Sequence, residues 1–467
     1  MADPSDNLRD GAESNIVMPV DTLPRMRRLR RALAAGWAEP FTRWLGVVLI
    51  VATVVRVVWV LYAAREPVGI YDPHWYEMLG VRIANGDGYT LPGGDPTAYY
   101  SVGYPAALAG AVWFAQHTPL SDNVPVAAGL LNSAFAVATV ALIGMIGRRL
   151  AGWRVGIGAA ALAALFPSQI FYTAAILSET LFNFLLVASL AILVWRRSDQ
   201  LGMHRLLTAG LVLGLAALTR PVALFVVPFA ALAWWLAHTG WRTALRRALA
   251  LGLGIMIVLV PWAIRNWVRM GEPIAIATST GDNLCIGHNP EATGAFQLTE
   301  PCLVGVPNRV TTEEELERDE TLRTRAVDYF LDHPQREIPL LWWRGFYTYR
   351  TDDDGLDAVE SYGDDEFIGS RMRDVLATVA NAFYFGVLAL AAVGAVALWS
   401  RARAGRMLYF AWLAAMAASP LAFFGDPRFK VPFALLCVVP AAVTMAALPA
   451  IRRTRLEPDR ADISPVD

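Results

Sequence analysis

Stretches of Leu, Val, Ala, Ile and Phe recur along the chain, separated by short connections in which arginine dominates. A bilayer core of about 30 Å takes roughly 20 residues of helix, and ten stretches are candidates to cross it: 44–64, 126–147, 155–173, 176–195, 206–219, 221–238, 248–268, 375–399, 407–424 and 429–449. Between consecutive pairs lie five arginine clusters: Arg148, Arg149 and Arg154; Arg196, Arg197 and Arg205; Arg242, Arg246 and Arg247; Arg401, Arg403 and Arg406; Arg452, Arg453 and Arg455. Ten crossings put all five on one side, together with the arginines between Arg25 and Arg31, and the positive-inside rule assigns that side and both termini to the cytoplasm. The pattern predicts an all-α polytopic membrane protein. A cytoplasmic tail (1–43) precedes a membrane domain (44–450), and a second tail (451–467) follows it. The apolar run 104–115 is too short to span, and counting it as a crossing would move every later arginine cluster outside. It is read as an interfacial or re-entrant helix on the outer side. The first apolar helix lacks a small-residue cleavage site and follows a long tail, so it is expected to stay as an anchor.

Composition sharpens this picture. Of the 467 residues 55% are apolar and 17% charged, against about 45–50% and about 25% in a soluble domain, which makes membrane lipid the expected surroundings. Forty Lys plus Arg against 41 Asp plus Glu leave a net charge of −1, so nucleic acid is not an expected partner. Lys430 is the only lysine, which reads as the arginine bias of a GC-rich bacterial genome. Three cysteines are too few for a disulfide-built scaffold. Cys437 lies in an apolar run, whereas Cys285 and Cys302 share one outer segment, where they are either bridged or two free thiols.

Two outer segments are large, 65–125 and 269–374, and chemistry is expected there. Asp72 stands at the start of a helical pattern running to Ile83, among Tyr71, Trp75 and Tyr76. It is either a cap favoured by the helix dipole or a carboxylate that accepts a proton from an incoming hydroxyl. Glu179 opens the fourth apolar run, where an acid is costly and faces a cavity or a partner. Arg220, Arg265 and Arg428 each sit at the outer end of a helix, against the positive-inside trend; each either snorkels to headgroups or clamps a phosphate. The turn-rich loop 278–296, with Asn289, is either a connector or a cover supplying polar contacts to a sugar. A metal role for His288 lacks a second ligand at a recognised spacing. The acidic runs 313–320 and 352–366 read as solvated charge, with no calcium-loop spacing. The segment 321–349 is aromatic and basic, suited to a membrane interface. No dinucleotide fingerprint or phosphate loop is present, so no nucleotide-sugar site is expected.

Taken in order, YDPHWYEMLGVRIANGDGY, PTAYYSVGYPAAL, LFPSQIFYTAAILSETL, GLAALTRP, PWAIRNW with TGDNLCIGHNPEATG, and GDPRFKVP resemble the GT-C superfamily of integral-membrane glycosyltransferases, in the branch of the lipid A aminoarabinose transferases and protein O-mannosyltransferases. The resemblance spans roughly 44–450. It implies a GT-C-like bundle with juxtamembrane helices in its outer loops, and transfer of a sugar from a polyprenyl-phosphate carrier to a lipid, glycan or protein acceptor outside the bacterial cytoplasmic membrane, with inversion. It assigns Asp72 as catalytic base, matches Glu179 and Arg220 to an acidic and a basic position of the branch, and puts Arg428 on the lipid phosphate; with Tyr76, Arg265 and Asn289, read from their places in the outer segments, these are the expected substrate residues. The chain departs from the pattern where relatives carry two adjacent acids, since Pro73 follows Asp72, and where the aminoarabinose enzymes have an acid before a Pro-Pro pair, since Tyr100, Ser101 and a single Pro105 stand here. No metal ligand is assigned, and a divalent cation stays open as a cofactor. A lipid-linked glycan flippase and a non-catalytic assembly subunit are the alternative readings.

Overall fold

The computed structural model describes residues 39–120, 123–195, 201–400 and 404–456. Arg25 to Arg31, Arg196, Arg197, Arg401 and Arg403 lie outside the described residues. Helices dominate, and among the described residues only two isolated backbone bridges, Thr90 with Pro96 and Ala295 with Gly425, have strand-like pairing.

The helices are α1 (Pro40–Ala63), α2 (Asp72–Ala84), α3 (Gly103–Gln116), α4 (Val124–Ala151), α5 (Trp153–Ala164), α6 (Pro167–Phe171), α7 (Glu179–Val194), α8 (Met203–Thr219), α9 (Val226–Trp234), α10 (Trp241–Met270), α11 (Thr280–Gly287), α12 (Glu300–Leu303), α13 (Thr312–Asp332), α14 (Pro334–Tyr349), α15 (Asp354–Val359), α16 (Ser370–Trp399), α17 (Ala404–Ala418) and α18 (Val431–Leu456). Among the described residues five are long and apolar enough to cross a membrane: α1, α4, α10, α16 and the stretch that opens α18. α5, α7, α8 and the 221–237 stretch are apolar but shorter. The 104–115 run is helical, as α3.

One expected span is broken. The 155–173 run ends as a regular helix at Ala164, because Pro167 offers no N–H to continue the ladder, and resumes only as the single turn α6. The carbonyls left open at the break are taken by Arg56 of α1, whose guanidinium donates to Ala163 and Ala164 at 3.2 and 2.8 Å. Such orphan carbonyls need a partner where water is absent. α8 and α10 cross at Gly210 and Gly254, where a Cβ on either would run into the other helix's backbone. Lipid gives apolar faces little reason to associate, so close packing of small residues holds such crossings.

The bundle is polar at its two ends in different ways. At one end Arg148 pairs with Glu39, Arg149 donates to the Trp195 carbonyl and Arg406 to the Leu150 carbonyl. At the other end α7 begins with Glu179, α8 is capped by Arg220, and the segments 65–125 and 269–374 gather.

Those outer segments are ordered by buried charge, which corrects the reading of the acidic runs as solvated. Glu315 of α13 is buried and accepts from the Thr97 and Thr278 hydroxyls and the Ala98 amide. Asp352 and Glu360 are fully buried as well; Glu360 accepts from Arg373 and the Ile368 amide. Cys285 and Cys302 form a disulfide tying α11 to α12. Cys437 is a buried free thiol in α18.

Candidate active site

Asp72 is the first residue of α2, with Pro73 behind it, so its carboxylate stands where the unpaired amides of the first turn favour negative charge. Its Oδ1 accepts from the Tyr100 hydroxyl at 3.1 Å and its Oδ2 from Arg428 Nη1 at 2.8 Å. Glu179 is 2% exposed at the start of α7, and its Oε1 accepts from Arg220 Nη1 at 2.6 Å and Arg428 Nε at 3.0 Å. Its Oε2 is buried without a hydrogen-bond partner among the described residues. Asp72, Arg428, Glu179 and Arg220 therefore form one chain of ion pairs, two of each sign, with formal charge zero. Only Asp72, 35% exposed, opens appreciably to the outside.

Local folding puts these groups there. Arg220 is the residue at which α8 stops, because Pro221 follows. Arg428 lies in the single turn Pro427–Lys430, capped by the Asp426 carboxylate, which accepts from the Arg428 amide at 2.9 Å. Phe429, in the same turn, lies under the Arg220 guanidinium at 5.6 Å. Glu179, Arg220 and Arg428 line one side of a cleft of about 390 Å³, open mouth included; Phe182, Phe423 and Phe429 give it apolar walls.

Tyr76 follows Asp72 by one turn and is buried edge-on between Tyr100 and Tyr104. Burial, helped by the neighbouring Asp72, pushes the Tyr76 phenol up to about 12. Burial and the same carboxylate hold Tyr100 well above its ordinary range, so it remains a donor to Asp72.

Two expected substrate residues are not brought to this cluster. Arg265 donates to the carbonyls of Thr97 and Tyr89 at 2.9 and 2.6 Å and stacks on Trp262, holding the 89–97 segment to α10. Asn289 is buried and donates to the Cys285 carbonyl at 2.8 Å, closing the end of α11. His288 lies 3.5 Å from Glu337, which also pairs with Arg344.

Tyr100, Asp426 and Phe429 were missed. Tyr100 had a visible signal, since it lies in the stretch, with Ser101 and Pro105, where the sequence departs from the resembled pattern. A further missed group lies behind Arg428: Lys430 with Asp352 and Asp354. Burial pushes the Asp352 carboxyl up to about 7 against the pull of Lys430. Among the described residues no three His, Cys, Asp or Glu side chains converge as a metal site would require, and both carboxylates of the cluster are already held by guanidinium groups. This donor set does not fit a divalent cation.

No protein-family model matches the sequence, and no curated protein sequence matches it. Solved structures do match. The archaeal oligosaccharyltransferase AglB from Archaeoglobus fulgidus, in complex with an inhibitory peptide and a dolichol-phosphate, superposes with a TM-score of 0.50 at 15% identity over 91% of this chain and 53% of that one. ArnT from Cupriavidus metallidurans bound to undecaprenyl phosphate superposes with a TM-score of 0.52 at 17% identity, over 89% of this chain and 62% of that one. Both are GT-C membrane glycosyltransferases. This chain has the GT-C fold. It spans about half the length of the oligosaccharyltransferase and under two thirds of ArnT. Five helices among the described residues, long and apolar enough to cross a membrane, make it a multi-pass membrane protein, and the fold alone does not fix its chemistry.

Proposed function

We propose that the protein is a glycosyltransferase that moves a sugar from a polyprenyl-phosphate carrier to an acceptor hydroxyl, with inversion. The observation that carries this reading is the convergence of Arg220 and Arg428 on Glu179 in an apolar-walled cleft, with the more exposed Asp72 held by the same Arg428. Guanidinium groups are suited to a phosphate, and the apolar walls suit the isoprenoid that carries it. The neighbours of like fold were solved with dolichol-phosphate and with undecaprenyl phosphate.

The charge balance gives the sequence of events. The acceptor oxygen attacks the anomeric carbon as Asp72 takes its proton. The new C–O bond forms on the face opposite the breaking bond to phosphate oxygen, whose electron pair stays with the phosphate. A phosphodiester of charge −1 leaves as a monoester approaching −2, while protonation of Asp72 turns the neutral cluster into a cluster of charge +1. Arg428 Nη1, no longer held by an anionic Asp72, is then free for the leaving phosphate, where charge is developing. Arg148, Arg149 and Arg406 lie at the opposite end of the bundle, so the positive-inside rule turns the cleft outward from a bacterial cytoplasmic membrane. A lipid, glycan or protein hydroxyl would be reached there.

Undecaprenyl phosphate binding tests the assignment of the phosphate. In nanodiscs, Arg220→Gln and Arg428→Gln should each weaken its affinity by about ten- to a hundredfold, the worth of one lost charge-assisted bond of about 1.5–3 kcal/mol. Wild-type affinity in both folded variants would refute it.

A further inference from the structure

Behind the cleft lies a second buried charge group that the proposed chemistry does not use. Lys430 is the chain's only lysine among forty basic residues and is fully buried. Its Nζ donates to Asp354 Oδ1 at 3.3 Å and to the Pro427 carbonyl at 2.9 Å, and lies 3.1 Å from Asp352 Oδ1. Tyr172 donates its hydroxyl to Asp354, and the Tyr384 ring sits 5.3 Å from the ammonium. Two hydrogen-bond acceptors and a second carboxylate at ion-pair distance converge on one point, which suits a compact ammonium and not the planar fork of a guanidinium. The one departure from arginine in this chain thus falls where arginine's geometry fails.

The Pro427 carbonyl belongs to the same turn as Arg428, so the ammonium closes that turn from behind while Arg428 reaches out of it to Asp72 and Glu179. The acidic partners belong to the outer segment, which grips the residues before the turn as well. The Gly425 amide donates to the Gly294 carbonyl at 2.7 Å, and Arg344 donates to the Leu421 carbonyl at 3.0 Å. Stability alone is a poor reason for such a group, because neutral side chains of similar volume commonly replace a buried ion triad without loss.

We propose that Lys430 is a positioning residue. Clamped by Asp352 and Asp354, it fixes the Pro427–Lys430 turn so that one Arg428 guanidinium meets Asp72 and Glu179 together. Resting on the reading above, it thereby sets the geometry in which the carrier's phosphate is held. The outer segment accordingly serves as a fixed wall of the site.

The test uses the full chain in nanodiscs. One variant, Lys430→Met with Asp352→Asn and Asp354→Asn, removes the clamp without leaving a charge unpaired. The other, Asp352→Asn alone, is isosteric and decides the matter if the triple variant does not fold. Melting temperature establishes folding, undecaprenyl phosphate affinity is measured well below it, and a cryo-EM structure locates Arg428. The expected result is a folded protein with affinity weakened about tenfold or more, as misplacement of a positioned group produces, and with Arg428 withdrawn from Asp72. A folded variant with wild-type affinity and Arg428 unmoved would overturn the proposal. Should the wild type bind no undecaprenyl phosphate while Arg428 still moves in the variant, the clamp stands and the phosphate reading falls.

Discussion

Asp72 has both carboxylate oxygens engaged before any substrate arrives, one by Tyr100 and the other by Arg428. On the proposed reading an entering phosphate would compete with Asp72 for the same guanidinium. Removing the charge of Asp72 should relieve that competition, so Asp72→Asn is expected to bind undecaprenyl phosphate about tenfold more tightly than wild type, roughly the worth of one charge-assisted hydrogen bond. Equal or weaker binding in a folded Asp72→Asn would contradict the exchange of Arg428 between carboxylate and phosphate. In the proposed exchange Glu179 would keep Arg428 in place once Asp72 is protonated, since its buried Oε1 holds Nε. Glu179, Arg220 and Arg428 stood out in the sequence because a charge at the end of an apolar run is expensive and needs a partner, and Asp72 stood out at the start of a helical pattern among aromatics. Arg265 carries the same signal yet serves backbone carbonyls; an arginine's own sequence surroundings do not distinguish a carbonyl oxygen from a phosphate oxygen.

Most helices of the bundle followed from apolar run length, but the break at Pro167 did not, since 155–173 read as one span and the structure divides it. The acidic segments were a different matter. Asp354 and Lys430 are 76 residues apart in sequence and meet in the folded chain, and such a pairing has no local signature. Acids in a row resemble solvated charge until the partner is known. Even the solitary lysine read first as codon bias. The pair Cys285 and Cys302 was left open between bridge and thiols, and the structure bridges them across 17 residues, next to the Arg318–Asp282 ion pair that also ties α13 to α11. Replacing both cysteines by serine should lower the stability of the outer segment by about 3 kcal/mol, the loop-closure cost for a loop of this length. Hydrogen exchange across α11 to α13 would show it; unchanged protection there would mean that the remaining contacts hold the segment alone.

The molecule as a whole separates two kinds of charge along its bundle. Arginines that tie helix ends together, such as Arg149 and Arg406, occupy one end, and the neutral ion-paired cleft occupies the other. Between them the helices are held by small-residue crossings and by Arg56 filling a helix break. The fold supplies an apolar body and the wall formed by 269–374, and the proposed chemistry is confined to a few side chains where they meet. Turnover tests this account most directly. Wild type and Asp72→Asn, purified side by side in nanodiscs, would be given a panel of radiolabelled polyprenyl-phosphate sugars with candidate acceptors, and release of polyprenyl phosphate would be followed. Release from one donor by the wild type, reduced at least about a hundredfold in a folded Asp72→Asn as expected for loss of a general base, is the predicted result. Full turnover by Asp72→Asn, or no release from any donor by the wild type, would contradict it.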